Sequence, residues 1–366
     1  MTPLRLLFLV LALVLAASAC GGDDDATSTS MPLATTTTTV APSTTTTSSS
    51  MTTSSTTTTT VEASQVSLLN GLPLESDAEV DRRVVAVKID NHPDARPQSG
   101  LPDAEAVIEV VVEGGITRFI ALYHSTDSDY LGPIRSGRPT DPGMLAPLDA
   151  TFQISGAQGW VQSLITQAGV PFITESADST FRIFRGDRAY ERTLYGTTEG
   201  VRQVADTRQF PDDPPPSSWF SFGEPSPAAS PAVEVVLSWD PDWPDVVWRW
   251  DGQEYLRFND DDPHDWVDRT GDTGQVAADT LLVLHGEQYA ACPPGGGAGS
   301  CVPATDTTGG GEALLFHGGG VVEGTWERES IGDLFTLTNA DGAAMTLPAG
   351  RLWVAVYPDD RPISWG

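Results

Sequence analysis

The chain has 366 residues, with 20 Lys+Arg against 50 Asp+Glu and a formal net charge of −30. That charge excludes a polyanion-binding surface of any size, because self-repulsion would oppose it, so no nucleic-acid partner is expected. From about Leu68 onward roughly 300 residues have globular composition, enough for one large or two ordinary domains.

Residues 1–20 carry Arg5, the apolar stretch Leu6–Ala17, and the small-residue end Ala17-Ser18-Ala19-Cys20. This is a secretory signal pattern. Small residues directly before Cys20 resemble the lipobox of bacterial lipoproteins, in which cleavage leaves the cysteine as a lipid-bearing N-terminus; plain cleavage and release is the competing reading. Acyl burial contributes about 0.8 kcal/mol per CH2, so a multiply acylated Cys20 would hold a soluble domain on a membrane. No later apolar run is long enough to span a bilayer. Residues 21–66 are dominated by Thr and Ser and cannot bury enough apolar area to offset backbone entropy. They are expected to be a disordered stalk, either O-glycosylated or a plain spacer.

Residues 67–210 form the expected N-terminal domain. Val84–Ile89 is short and almost continuously apolar, as in a strand covered on both faces, and Asn91-His92-Pro93 ends it. Ala104–Val112 has helical spacing but is heavily β-branched; with Gly114-Gly115 and the run from Ile116 to Tyr123 it favours a hairpin. A helix start at Thr140-Asp141-Pro142 with a short helix over Met144–Leu148, a strand over Ala150–Ser155, a helix over Trp160–Ala168, a strand over Phe181–Phe184 and a helix over Thr198–Thr207 capped by Thr198 complete this half. Residues 211–231, rich in Pro and Ser, are the internal connector. The expected second domain, 232–366, is mostly β, with strands at Val233–Trp239, Val246–Trp250, Tyr255–Phe258, Thr280–His285, Ala313–His317, Val321–Arg328, Phe335–Thr338 and Leu352–Val356. Cys292 and Cys301 bracket a Gly-rich loop and are expected to form a disulfide; no ligand spacing for a metal surrounds them.

The residues with chemistry to offer concentrate between Val84 and Arg138. Arg135-Ser136-Gly137-Arg138, just before a helix start, could form an anion pocket, since bidentate guanidinium donors suit carboxylate or phosphate. They could equally be struts to Glu109 and Glu113. Asp90, Glu109 and Glu113 could be paired acid and base groups, or salt-bridge partners of Arg96 and Arg118. Lys88, the sole lysine, reflects either coding bias toward Arg or a functional amine beside Asp90. The run Asn259 to Asp268 has clustered oxygens but lacks the spacing of a calcium loop and reads as a solvated acidic loop. Ser99, Ser136 and Ser155 lie near glycines, yet none is in a nucleophile-elbow turn, and no phosphate loop or dinucleotide fingerprint occurs, so no cofactor is expected.

Four motifs in order, Arg83–Asn91, Ala95–Leu101, Glu113–Arg118 and Gly132–Arg138, resemble the YerB-like lipoprotein family, of unknown function. Pro263-His264, Gly324-Thr325-Trp326 with Arg328, Asn339–Gly342 and Gly350–Val354 resemble its C-terminal region. The resemblance implies an α+β fold, a layered β-β-α sandwich, and a lipid-anchored protein on the extracytoplasmic face of a bacterial cell membrane. Two departures stand out: Glu191-Arg192-Thr193 replaces a Pro-His-Asn pattern, and Ser155-Gly156-Ala157-Gln158 replaces a His with Gly-Gly-Ser, so a His-dependent mechanism is not expected.

The expected activity is therefore a non-catalytic module that binds a cell-wall polymer, a small anion or an envelope protein. The alternative is a wall-polymer hydrolase using carboxylates near Asp90 and Glu113. The candidate ligand-binding residues are Asp90, Asn91, Arg96, Gln98, Ser99, Glu113, Arg118, Arg135, Ser136 and Arg138.

Overall fold

Apolar side chains on both faces of Val85–Asp90 make it a strand, β1, buried along its whole length. Val85, Val87 and Ile89 point to one core, while Val84 and Ala86 belong to the other. Lys88 and Asp90 continue the second face by the two-residue period of a strand. This computed structural model describes residues 65–75 and 78–366; the signal segment, Cys20 and nearly all of the stalk lie outside the described residues.

The first half continues with β2 (Ala106–Val111), β3 (Thr117–Tyr123), α1 (Asp141–Leu145), β4 (Thr151–Gln153) and α2 (Gly159–Gln167). It closes with β5 (Phe172–Ile173), β6 (Thr180–Arg182), β7 (Leu194–Gly196) and α3 (Thr198–Thr207). The second half contains β8 (Ser230–Pro231), β9 (Glu234–Leu237), β10 (Val246–Trp250), β11 (Tyr255–Asn259), β12 (Asp262–Pro263), β13 (Asp265–Val267), β14 (Thr273–Gln275) and β15 (Ala277–Ala278). There follow β16 (Thr280–Gly286), β17 (Gln288–Ala291), β18 (Val302–Thr305), β19 (Gly309–His317), β20 (Gly320–Arg328), β21 (Thr336–Asn339), β22 (Leu352–Pro358) and β23 (Ile363–Trp365).

A large sheet with the order β21-β20-β19-β16-β22-β2-β3-β1-β4-β5 draws strands from both halves. The seam is β22, parallel to β16 on one side and to β2 on the other, with Val354 opposite both Leu282 and Ile108. One face of this sheet packs on a smaller sheet, β12-β11-β10-β9-β23, through Phe119, Trp353 and Ala355 against Val235, Leu237 and Trp248. At its other end the same face takes Val201, Val204 and Ala205 of α3. The opposite face is covered by Met144 and Leu145 of α1, Val161 and Ile165 of α2, and Trp219 and Phe220. The result is an α+β sandwich layered as small sheet, large sheet and helices.

The hairpin reading of residues 104–123 holds: β2 and β3 pair antiparallel around a turn at Glu113–Gly115. Gly114 and Gly115 have φ of 76° and 74°, and a Cβ on Gly115 would strike the Asp240 carboxylate. Three expectations need correction. The cap of α3 is Thr197, whose side chain accepts from the Gly200 amide, because Thr197 is the last extended residue. The helix start read at Thr140-Asp141-Pro142 holds, α1 beginning at Asp141, but the helix ends at Leu145 and Ala146–Leu148 continues it as a 3-10 turn, Pro147 being unable to donate. The acidic run is not simply a solvated loop: Asp260, Asp261 and Asp262 are exposed, but His264 is buried. Cys292 and Cys301 are disulfide-bonded across the β17–β18 hairpin.

Candidate functional site

The side chains singled out between Val84 and Arg138 divide between the two faces of the large sheet. Asp90 pairs in register with Arg118 of β3, and Ile89 with Phe119. Glu109 of β2 lies opposite Phe119, so it shares the face of Ile89, not that of Asp90. Asp90 and Glu109 therefore point to opposite sides of the sheet and cannot act as a pair.

On the small-sheet face, Glu109 is fully buried. Its Oε1 accepts from Arg257 Nη2 at 2.8 Å and Thr117 Oγ1 at 2.6 Å, and its Oε2 from Trp353 Nε1 at 2.9 Å. Arg257 Nη1 donates to His264 Nδ1, and His264 Nε2 meets Gln98 Oε1 at 2.7 Å, which assigns the proton to Nε2. Burial, then the charges of Arg257 and Arg96, hold His264 well below the ordinary histidine range, so it is neutral. Gln98 in turn donates to the Asp90 carbonyl at 3.0 Å and to Asn91 Oδ1 at 3.1 Å. Arg96 donates to Asn91 Oδ1 and to its carbonyl, both at 3.2 Å. Asn91, Gln98 and Ser99 are buried, the first two within this network, and this removes them from the ligand-facing set. Arg96 remains partly exposed, but its bonded donors serve Asn91.

On the helix-side face, Lys88 meets Asp141, the first residue of α1, at 2.6 Å, with both side chains fully buried. Lys88 is thus the partner of Asp141, not a free amine beside Asp90. Glu113 accepts from Arg138 Nε at 2.5 Å, and the Arg138 amide donates to Asp141 at 2.7 Å. Burial alone would push the Glu113 carboxyl up, but the hydrogen bond and charge of Arg138 outweigh it and hold it below the usual range.

Asp90 is at the centre of the remaining charges. Its Oδ2 is 3.2 Å from Arg135 Nε and 3.5 Å from Arg192 Nε, and its Oδ1 is 4.0 Å from Arg118 Nε. Three guanidinium groups face this one buried carboxylate, and Arg192 also meets the exposed carboxylates of Glu191 at 3.3 Å and Asp94 at 4.0 Å. The contacts are close in distance yet poorly directed: Asp90 Oδ2 and the Nε of Arg118, Arg135 and Arg192 are buried without a hydrogen-bond partner. Burial, then the charge of Arg138 and against the pull of Asp90, brings Arg118 down to about 9, with Arg135 adding to the fall, so it stays charged near neutral pH. The side chains of Arg135 and Arg192 keep 18% and 12% of their surface open, against 1% for Asp90, so these two cations lie outside Asp90, with the exposed Glu191 and Asp94 beside Arg192. Ser136 Oγ and Ser155 Oγ lie 3.4 Å apart beside them, and the Ser136 carbonyl accepts from Arg118 and Arg138. A cleft of about 670 Å³ elsewhere is lined by Asp103, Asp127, Asp129 and Glu199 with Arg82 and Arg202, and its acid surplus suits no anion.

Models of the N-terminal and C-terminal domains of a protein family of unknown function, DUF3048, match residues 69–211 and 234–354. The chain belongs to this family. A relative, "Putative lipoprotein YerB" of Bacillus subtilis, is 26% identical over 295 residues, spanning 80% of this chain and 86% of that protein. The crystal structure of YerB superposes with a TM-score of 0.68 at 24% identity, covering 82% of this chain and 99% of the other, so the family resemblance extends to the fold. Sequence reading did not include Arg192, Arg257 or His264 among the site residues. The density of Arg182, Arg185, Arg188 and Arg192 was the signal available for the first; nothing local marks the other two.

Proposed function

We propose that this chain is a lipid-anchored protein of the extracytoplasmic face of a bacterial membrane, and that its N-terminal region binds a small anion without transforming it. The anchor reading rests on the Ala17–Cys20 pattern and on the lipoprotein name of the relative. The single observation carrying the binding reading is the convergence of Arg118, Arg135 and Arg192 on Asp90, where guanidinium donors outnumber the carboxylate they share and two of them reach the surface. Such forks match carboxylate and phosphate in pairs of parallel hydrogen bonds.

The hydrolase alternative is disfavoured by the same groups. A glycosidic acid needs a raised pKa, and Arg138 pulls Glu113 the other way. Asp90 is almost fully enclosed by cations, with 1% of its side chain open.

Thermal melts of the full-length chain in neutral detergent, with inorganic phosphate titrated in, test the reading. Wild type should gain stability by mass action, about 2.7 kcal/mol at a hundredfold excess over Kd. Arg192→Ala should fold with little change, because Asp90 keeps Arg118 and Arg135, and should lose the phosphate response. A wild-type melting temperature indifferent to phosphate and to acetate would end the proposal.

A further inference from the structure

The turn that delivers Arg192 also carries the most exposed large apolar side chains of the described residues. Phe184 is 68% exposed and Tyr190 62%, with ring centroids 6.4 Å apart and planes tilted by 41°. Tyr190 and Arg192 share one 3-10 turn, Tyr190–Arg192, and Arg135 donates to the carbonyl of Glu191 between them at 3.3 Å. One face of the Tyr190 ring is covered by the Arg182 guanidinium, 3.7 Å from its centroid. Arg182 is itself held by Glu175 and by the Tyr190 carbonyl, so the ring is braced from behind and open in front.

The other cations of the segment are committed. Arg185 bonds the Tyr130 hydroxyl and Arg188 the Tyr195 hydroxyl, and those two rings stack on each other at 4.9 Å. Toward solvent remain the aromatic pair, carried on the same segment as Arg192, and the exposed carboxylates of Glu191 and Asp94, which an incoming anion displaces from Arg192 Nη1. An exposed aromatic pair at the rim of a charged cluster marks a binding surface for a ligand with an apolar face and an anionic group. A pyranose ring has such a face in its axial C–H groups, while its hydroxyls stay hydrated at the rim. The chain's net charge of −30 opposes a long polyanion, so the fit is to a single acidic unit.

We propose that the ligand of the guanidinium cluster is an acidic sugar, a pyranose bearing a carboxylate or a phosphate, whose ring stacks on Tyr190 and Phe184 while its anionic group takes Arg135 and Arg192. This rests on the anion-site reading above and adds the aromatic platform to it.

Calorimetry on the full-length chain in neutral detergent tests it with N-acetylmuramic acid and glucose 6-phosphate as the carboxylate and phosphate probes. N-acetylglucosamine, inorganic phosphate and phosphatidylglycerol vesicles are the comparators. One or both acidic sugars should bind at least about tenfold more tightly than inorganic phosphate or the neutral sugar. Whichever of the two binds tighter identifies the anionic group. The double variant Phe184→Ala with Tyr190→Ala should fall to the phosphate level for acidic sugars and keep its phosphate binding, and Tyr190→Trp should restore the difference. Arg192→Ala should lose both. Acidic sugars bound equally by the aromatic variant and wild type, with phosphate binding intact, overturn the platform and leave the anion site standing. Failure of wild type to bind phosphate or either acidic sugar overturns both. Vesicle binding that needs Phe184 and Tyr190, without any preference for acidic sugars, assigns the rings to a lipid surface instead and overturns the proposal.

Discussion

Lys88 shows how far one residue's surroundings set its chemistry. It is the sole lysine of the chain, it is fully buried, and its amine faces Asp141 at 2.6 Å. Burial lowers its pKa from the ordinary 10.5 to about 8, with Asp141 opposing the fall and Arg118 and Arg138 adding to it. Between those two values the unfolded chain holds a proton that the folded chain has released. Stability from this group therefore rises with pH across that window and is lower below it. Lys88→Met removes the linkage. Urea midpoints of wild type and variant from pH about 7 to about 10 should diverge in favour of wild type as pH rises; a difference that stays flat would show that Lys88 keeps its proton. At the neighbouring position, Arg138 has the role of a strut to Glu113, whereas Arg135 leans on Asp90 with its outer edge open.

At the scale of elements, the β17–β18 hairpin shows what a local staple contributes. Among the described residues its strands pair only with each other, from Gln288 opposite Thr305 to Ala291 opposite Val302, and the disulfide closes the Gly-rich loop between them. A short closed loop removes little entropy from the unfolded chain. Replacing Cys292 and Cys301 together by Ser should therefore cost at most roughly 2–3 kcal/mol, leaving the large sheet intact. Chemical denaturation gives the magnitude, and a loss well beyond it would mean that the hairpin supports the fold more widely. The strand β1 makes the opposite case. Alternation sends Val85, Val87 and Ile89 to one core and Lys88 and Asp90 to the other face, so a one-residue slip would bury the charged pair's positions against the small sheet.

Over the whole molecule, the two halves are joined by a sheet seam and by one buried ionic network. The seam is β22 between β16 and β2. The network runs from Glu109 through Arg257 and His264 to Gln98, and Gln98 holds the carbonyl of Asp90. The second half thus sets the backbone on which the anion site is built. Arg257→Met strands the buried Glu109 carboxylate, at a cost of about 3–5 kcal/mol, measured by denaturant unfolding. It should also weaken phosphate binding at Arg135 and Arg192, which it does not touch. A loss under about 1 kcal/mol would mean that Glu109 finds another partner or takes up a proton.

Periodicity alone determined much of the architecture. The runs at Val84–Ile89, Val246–Trp250 and Leu352–Val356 are apolar and β-branched, and each is a strand, because backbone preference and burial agree there. The hairpin over 106–123 was legible for the same reason, with Gly114-Gly115 supplying positive φ at the turn. The short strands Thr273–Gln275 and Gln288–Ala291, each in a local hairpin, were not, since they lack an apolar alternation, and Ile363–Trp365 was not, since its pairing depends on Val235–Leu237 far away in the chain. The candidate site divides in the same way. Asp90, Arg118, Arg135 and Arg138 stand out in the sequence by their density of charge beside apolar strands. Which face each takes, and that Arg192 joins Asp90 while Arg257 takes Glu109, was decided by strand register and by the docking of β11 and of the turn at Tyr190–Arg192. Coulomb attraction selects among charges only after the backbone has brought them together, and that is a property of the tertiary structure.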